Sequence, residues 1–249
     1  MTHYTYPASS PAIELRGVTQ SFPDGPSPRV VLDSINLKIS QGELVAIMGR
    51  SGSGKSTLLN IIAGITQPQA GEVVINGTPL RGASNSALAQ LRRTQFGIVF
   101  QRNNLIDALT IVENLALPHE LNGERPRIAL GYAELILHEH DLTHIAKLHP
   151  HQVSGGQRQL IAALAALSSK RSILLADEPT GELDTAAGDN LMRLIRTHVD
   201  SGATGLMVTH DPRDAAWADR IVRIEDGLIT TDTGTYQSFD AHTSWSADS

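Results

Sequence analysis

The chain has 249 residues, a formal net charge of −6, and 41% hydrophobic and 18% charged residues. These values are ordinary for a globular protein long enough for one large α/β domain, and the acidic balance argues against a nucleic-acid partner. Cysteine is absent, which excludes disulfides and thiolate metal sites.

Short apolar runs alternate with helical patterns along most of the chain. Residues 12–18 and 30–39 alternate like half-buried antiparallel strands. Continuous apolar runs, typical of buried parallel strands, occupy residues 43–48, 96–100, 172–177 and 204–210. Helical patterns cover residues 55–63, 185–199 and 212–218. The alternation predicts an α/β fold, with a mostly parallel sheet covered by helices on both faces.

The sequence outside these runs predicts one helical insertion and a loose tail at each end. Residues 102–158 contain no convincing strand, and the apolar residues within 126–148 recur at helical spacing, so we expect a small helical subdomain at about 102–158. Residues 1–11 and 230–249 are rich in small polar residues and predict loose tails. The domain is therefore expected to cover residues 12–229. No stretch approaches the roughly 20 apolar residues of a membrane helix, and no secretory signal opens the chain, so we expect a cytosolic protein.

The strongest motif is "GRSGSGKST" at residues 49–57, which fits G-x-x-x-x-G-K-[ST] between a buried strand and a helix. Its glycines let backbone amides turn onto phosphate oxygens, and the helix N-terminus adds its dipole. Lys55 would reach the β- and γ-phosphates, while Ser56 would ligate Mg²⁺. The predicted phosphate-binding residues are Gly49, Arg50, Ser51, Gly52, Ser53, Gly54, Lys55, Ser56 and Thr57.

A second motif, "ILLADEPTGELD" at residues 173–184, places two acids at the end of a buried strand. In α/β sheets, ligands bind at the carboxyl ends of the strands. We expect Asp177 to hold Mg²⁺, directly or through water, and Glu178 to act as the general base for the attacking water.

Two polar residues follow other strands directly, Gln101 after "FGIVF" and His210 after "GLMVT". Gln101 could face Mg²⁺ and the attacking water, and His210 the γ-phosphate. Either residue taken alone is better explained as a loop residue that makes local hydrogen bonds, and only their shared position at strand ends favours the site.

Two further motifs are "VSGGQ" at 153–157 and "VTHD" at 208–211. Along the chain the order is the 49–57 motif, Gln101, "VSGGQ", the 173–184 motif and "VTHD". In that order the chain resembles the nucleotide-binding subunits of ATP-binding cassette (ABC) transporters, over about residues 12–229. Residues 91–118 look like the bacterial subfamily of lipoprotein-release, macrolide-export and antimicrobial-peptide-resistance systems. The resemblance implies a P-loop NTPase core with an N-terminal antiparallel β subdomain and a helical subdomain.

The resemblance also implies roles for matching positions. Phe22 aligns with the aromatic residue that stacks on adenine, although Tyr is usual there and a buried core Phe is the alternative. Asp184 matches the acid that contacts the partner subunit's site. Gln101 and the stretch after it match the segment that meets the cytoplasmic coupling helix of the membrane protein.

The "SGGQ" residues have a particular implied role. Ser154, Gly155, Gly156 and Gln157 would hold the γ-phosphate of an ATP bound to the opposite subunit, with two ATP molecules between two chains. The simpler alternative is that Ser154 only caps the following helix. Val153 stands where the family usually has Leu. Leu160 and Ala165 stand where it commonly has Arg, so cations expected near the Asp-Glu strand are missing.

The sequence therefore predicts a Mg²⁺-dependent ATPase that dimerises on ATP, with itself or with a different cassette, and drives an integral-membrane permease. It would lie on the inner face of the bacterial cell membrane. One alternative is a cassette that signals to a membrane partner in cell division without transport. Another is a soluble ATPase of DNA repair or translation, although such relatives typically have paired cassettes or long coiled-coil insertions.

Overall fold

The computed structural model describes residues 11–25, 27–100, 104–169 and 171–234. Its β-strands are β1 Ile13–Asp24, β2 Ser27–Ile39, β3 Leu44–Met48, β4 Ala70–Ile75, β5 Thr78–Pro79, β6 Phe96–Val99, β7 Ile173–Asp177, β8 Thr204–Thr209, β9 Arg220–Glu225 and β10 Leu228–Asp232. Its α-helices are α1 Lys55–Ile62, α2 Asn85–Gln95, α3 Ile111–Leu121, α4 Pro126–Glu139, α5 Gly155–Leu167, α6 Thr185–Asp200 and α7 Pro212–Ala215. Short 3₁₀ helices occupy Thr143–Ile145 and Pro150–Gln152.

The larger sheet has the strand order β10-β9-β3-β8-β7-β6. The pairs β3–β8, β3–β9, β6–β7 and β7–β8 are parallel, and only the β9–β10 hairpin is antiparallel. Every residue of β3, β7 and β8 is buried, because helices or the second sheet cover both faces. The predicted α/β class is confirmed, and the carboxyl ends of β3, β7 and β8 meet at one edge.

The smaller sheet has the order β2-β1-β4-β5 and is antiparallel throughout. The alternation at 12–18 and 30–39 belongs to β1 and β2, as predicted. The sequence did not predict β4 and β5, because β5 has only two residues, both exposed, and β4 buries only its last three. One apolar cluster joins this sheet to α1 and to one face of the larger sheet.

Residues 104–158 contain helices and no strand. A second apolar cluster packs α5 and α6 on the other face of the larger sheet, while a third lies within α3, α4 and α5. The starts of α3 and α5 are encoded locally. Thr110 with Glu113, and Ser154 with Gln157, form capping boxes in which each side chain bonds the other residue's backbone N–H.

Two boundaries differ from the predictions. We placed a loose tail from residue 230, but β10 continues to Asp232 and pairs with β9, and the Thr233 N–H donates to the Ile221 carbonyl at 3.0 Å. Polar residues on this edge strand hide its periodicity, because only Ile229 packs against the core. The helix predicted at 212–218 is shorter and ends at Ala215. Within the described residues, no helix combines the length and apolar character needed to cross a membrane.

Candidate functional site

The loop of residues 49–57, called the phosphate loop below, connects buried β3 to α1 at the carboxyl edge of the sheet. Its lysine folds back over the loop: Lys55 Nζ donates to the carbonyl oxygens of Gly49 and Arg50 at 2.9 and 3.0 Å. Helix α1 has no side-chain cap and no acid in its first turn. The first N–H groups of α1 and its positive dipole end therefore favour an anion.

Glycine is required at two positions of this loop. Gly54 has φ +99°, and a Cβ on it would lie 2.5 Å from the Val31 carbonyl oxygen. A Cβ on Gly49 would lie 2.3 Å from the Ile224 carbonyl oxygen. The loop is thus pressed against β2 and against β9, and a larger residue would displace it.

Asp177 ends β7 directly beneath the phosphate loop. It is 8% exposed, and its Oδ1 is buried without a hydrogen-bond partner among the described residues. Burial raises the pKa of the Asp177 carboxyl, and a hydrogen bond with the Ser56 hydroxyl partly offsets the rise. An orphaned carboxylate oxygen beside a hydroxyl is a donor set that fits Mg²⁺, which prefers oxygen ligands and shares its coordination with phosphates.

Glu178 follows in a left-handed backbone conformation with φ +47°. This conformation is unfavourable for a residue with a side chain, and here the Glu178 N–H donates to the Val208 carbonyl at 2.8 Å. Its carboxylate Oε2 lies 2.8 Å from His210 Nδ1. Because Asp177 pairs with Val208 in the β7–β8 register, Glu178 and His210 extend past the same edge of the sheet.

A groove of about 310 Å³ runs over the phosphate loop. It is lined by Phe22, Arg29, Val31, Ser51, Gly52, Gly54, Lys55, Ser56, Thr57 and Glu178. Phe22 is 43% exposed, so the buried-core alternative for this residue is wrong. The sequence reading missed Arg29, which pairs with Phe22 across the β1–β2 hairpin and places Nη2 3.5 Å from the Gly52 carbonyl. The residue opposite Phe22 is decided by the register of the two strands, so no pattern in the residues around Arg29 identified it.

The signature turn, residues 154–157, does not line this groove. It lies instead against the loop after Glu178: a Cβ on Gly156 would be 3.3 Å from Leu183 Cδ2, and one on Gly155 3.6 Å from Glu182 Oε2. Ser154 Oγ accepts from the Gln157 N–H at 3.1 Å, and Gln157 Oε1 accepts from the Ser154 N–H at 3.0 Å. The turn therefore caps α5 and is separate from its own chain's phosphate loop.

The remaining predicted residues have distinct positions. Asp184 is exposed and caps α6, with Oδ1 accepting from the Ala187 N–H at 2.9 Å. Gln101 lies outside the described residues. Leu160 and Ala165 do not face the Asp-Glu strand, because they pack against the apolar cluster of α3, α4 and α5. Apolar contacts thus occupy the places where Arg was expected.

The fold and this groove define a P-loop nucleotide-binding protein. A family model described as ABC transporter matches residues 32–181. Over 226 residues the chain is 41% identical to the macrolide export ATP-binding/permease protein MacB of Photorhabdus laumondii, covering 91% of this chain and 35% of that protein. The chain is 39% identical to the macrolide export ATP-binding/permease protein MacB of Pasteurella multocida, and the match covers 92% of this chain and 35% of that protein. The chain spans about a third of the length of these relatives.

Two solved structures share the fold. One is the dimeric bacterial ABC transporter cassette MJ0796, with a TM-score of 0.84, 37% identity, and 88% of this chain and 97% of that chain covered. The other is a dimeric post-hydrolysis state of MJ0796 bound to ADP and phosphate, with a TM-score of 0.84, 36% identity and the same coverage. The chain belongs to the ABC transporter family, and its fold is that of an ABC ATPase cassette.

Proposed function

We propose that the chain is the Mg²⁺-dependent ATP-hydrolysing subunit of a membrane transporter. The observation that carries this proposal is the meeting of Lys55, Ser56 and Glu178 in one groove at the carboxyl edge of the sheet. A cation, a metal-binding hydroxyl and a carboxylate at a helix N-terminus suit phosphoryl transfer to water.

Each residue has a proposed role. The backbone amides of residues 49–57 and the Lys55 amine bind the phosphates, Phe22 stacks on the adenine, and Ser56 and Asp177 hold Mg²⁺. A Mg²⁺ ion held by Ser56 and Asp177 would supply positive charge to offset the charge that develops on the phosphates. Gln101, which lies outside the described residues, is proposed to contact the metal and the attacking water.

Glu178 is proposed as the general base. It is 19% exposed at the side chain, so it reaches the groove while being partly shielded from water. His210 holds Glu178 Oε2 through Nδ1 and places its other ring nitrogen towards the γ-phosphate. Positioning and charge neutralisation provide most of the rate in this chemistry.

The signature turn is proposed to serve a second cassette. It lies away from its own chain's groove, and the two similar structures are described as dimers. Ser154, Gly155, Gly156 and Gln157 would then bind the γ-phosphate on the other subunit, with Asp184 close to that site. The second cassette is either another copy of this chain or a different one.

A membrane permease is the proposed partner, and export the proposed direction. The relatives are named as export ATP-binding/permease proteins, and the chain covers 35% of them. The chain would then lie at the inner face of the bacterial cell membrane. The names of the relatives favour transport over a soluble repair or translation role, and the part of the chain that the structure describes contains no coiled-coil insertion. A signalling role in cell division would use the same site, and loss of septation rather than of export would reveal it.

We expect Lys55→Ala to lower Mg²⁺-dependent ATP hydrolysis by about 100-fold or more, because the amine stabilises charge on the transferred phosphate. Phosphate release from the purified protein, with and without EDTA, measures this, and EDTA should abolish the wild-type rate. Lys38→Ala is the matched control, because Lys38 is an exposed lysine of β2 that pairs with Glu14. Equal rates for the Lys55 and Lys38 variants would contradict the proposed site.

We expect Phe22→Ala to weaken ATP binding by about 3- to 10-fold, the size of one lost aromatic stacking contact. Titration calorimetry in the absence of Mg²⁺ measures the affinity without hydrolysis. Phe22→Tyr keeps the ring and should bind ATP within about two-fold of wild type. Unchanged affinity of the Ala variant would mean that Phe22 is only an exposed hairpin residue.

A further inference from the structure

Two buried polar side chains from different helices hold the loop after Glu178. Gln159 of α5 is fully buried, and its Nε2 donates to the Pro179 carbonyl at 3.0 Å. Asp214 of α7 is 7% exposed, and its Oδ2 accepts from Thr180 Oγ1 at 2.5 Å. Asp214 Oδ2 also accepts a longer bond from Thr209 Oγ1 at 3.4 Å.

These contacts join three parts of the site that are distant in sequence. Thr180 comes two residues after Glu178, and Thr209 comes directly before His210. One carboxylate therefore ties together the two segments whose side chains meet at the 2.8 Å contact of Glu178 and His210. Gln159 extends the connection to the helix that begins at the signature turn.

An acid at position 214 is costly for folding. Burial raises the pKa of the Asp214 carboxyl, and the hydroxyls of Thr180 and Thr209 partly offset that rise. The carboxylate thus carries a desolvation cost that a neutral side chain at this position would not carry. The Thr180 side chain is itself fixed, because it packs beside Gly188 of α6. The buried Asp214 carboxylate therefore lowers the stability of the fold, while its hydrogen bonds fix the position of the loop after Glu178.

We propose that Asp214 is a positioning residue for ATP hydrolysis: its carboxylate holds Thr180 and Thr209 together and so keeps Glu178 in place beside His210. This inference rests on the proposed function, because it concerns the geometry of the same hydrolytic site. Asp214 itself touches neither the phosphate loop nor Asp177 by any hydrogen bond found among the described residues. Its effect therefore passes through the loop and through β8.

The matched variants are Thr180→Val and Thr180→Ser, with Asp214→Leu and Asp214→Asn. Val and Leu remove the hydrogen bond, whereas Ser and Asn keep a donor or an acceptor. We expect Thr180→Val and Asp214→Leu to lower kcat by about 10-fold or more, with KM for ATP within about two-fold of wild type. The Ser and Asn variants should stay within about three-fold in kcat, and the Val/Leu double variant should be no slower than the slower single variant.

A second measurement does not depend on ATP hydrolysis. Hydrogen exchange of residues 178–184 should be about 10-fold faster in Thr180→Val than in Thr180→Ser, because the loop loses one anchor. If Asp214→Leu fails to fold, the Thr180 pair carries both measurements.

The outcomes separate this inference from the proposed function. A lower melting temperature with unchanged kcat and unchanged exchange at 178–184 would show a purely structural role and overturn the inference. Equal kcat values for Asp214→Asn and Asp214→Leu would also overturn the inference. A side-chain oxygen that accepts from Thr180 would then not be enough to keep Glu178 in place. Absence of hydrolysis in the wild type would sink the proposed function, while the exchange measurement would still decide whether Asp214 holds the loop.

Discussion

Glu178→Gln protein is expected to hydrolyse ATP at least about 100-fold more slowly than wild type and to accumulate as a dimer in Mg-ATP. A general base contributes about 10²- to 10⁴-fold, and the amide cannot accept the proton from water. Gln keeps the size of the side chain and one oxygen near His210, so ATP binding should persist. Slow hydrolysis would leave two ATP molecules between two chains long enough for the dimer to be isolated.

Light scattering after gel filtration, with and without Mg-ATP, gives the mass directly. The control is Glu178→Gln combined with Lys55→Ala, which should stay monomeric because nucleotide binding is weakened. Normal turnover by the Glu178 variant, with the membrane partner present, would contradict the assigned base. A persistent monomer would contradict self-dimerisation, and the same measurement would then be made on the complex with its membrane partner.

Ser154→Asp and Lys55→Ala proteins are each expected to be inactive alone and to regain activity when mixed. Asp caps a helix as well as Ser does, so α5 should keep its stability, but its charge would repel the γ-phosphate of the opposite subunit. In a mixed dimer, one site would combine an intact phosphate loop with an intact signature turn. An equal mixture should recover about a quarter of wild-type activity if two independent sites form between randomly paired chains.

Phosphate release measured against mixing ratio tests this expectation, with thermal unfolding of Ser154→Asp as the check on capping. Full activity of Ser154→Asp alone would favour the simpler alternative, in which Ser154 only caps α5. An inactive mixture of two folded proteins would contradict a site shared between copies of this chain and would favour a different cassette as partner.

The features that the sequence predicted correctly depend on local physics. The glycines of the phosphate loop reflect two local requirements: Gly54 has φ +99°, which glycine adopts most easily, and Gly49 has no room for a Cβ. Capping of α5 by Ser154, which the sequence offered only as an alternative, is observed, and the structure adds Gln157, three positions further on, as its partner. The buried parallel strands were visible because every residue of β3, β7 and β8 is covered.

The weaker predictions involve short or edge elements. Helix α2 and strands β4, β5 and β9 were not predicted, and β10 was assigned to a tail, because these elements bury few residues and their periodicity is weak. The resemblance placed Arg near the Asp-Glu strand at positions 160 and 165. The helix turns these positions towards α3 and α4, which the sequence of α5 alone does not reveal.

From its own sequence, this chain specifies the phosphate loop, the acidic end of β7 and the capped turn at 154–157, because glycine conformation, strand burial and helix capping act over a few residues. The contact of Glu178 with His210 and the hold of Asp214 on Thr180 join residues more than thirty positions apart. Such contacts exist only once β7 lies beside β8 in the register of Asp177 with Val208. Strand order and register arise from packing of the whole sheet, so they belong to the folded molecule and not to any one segment.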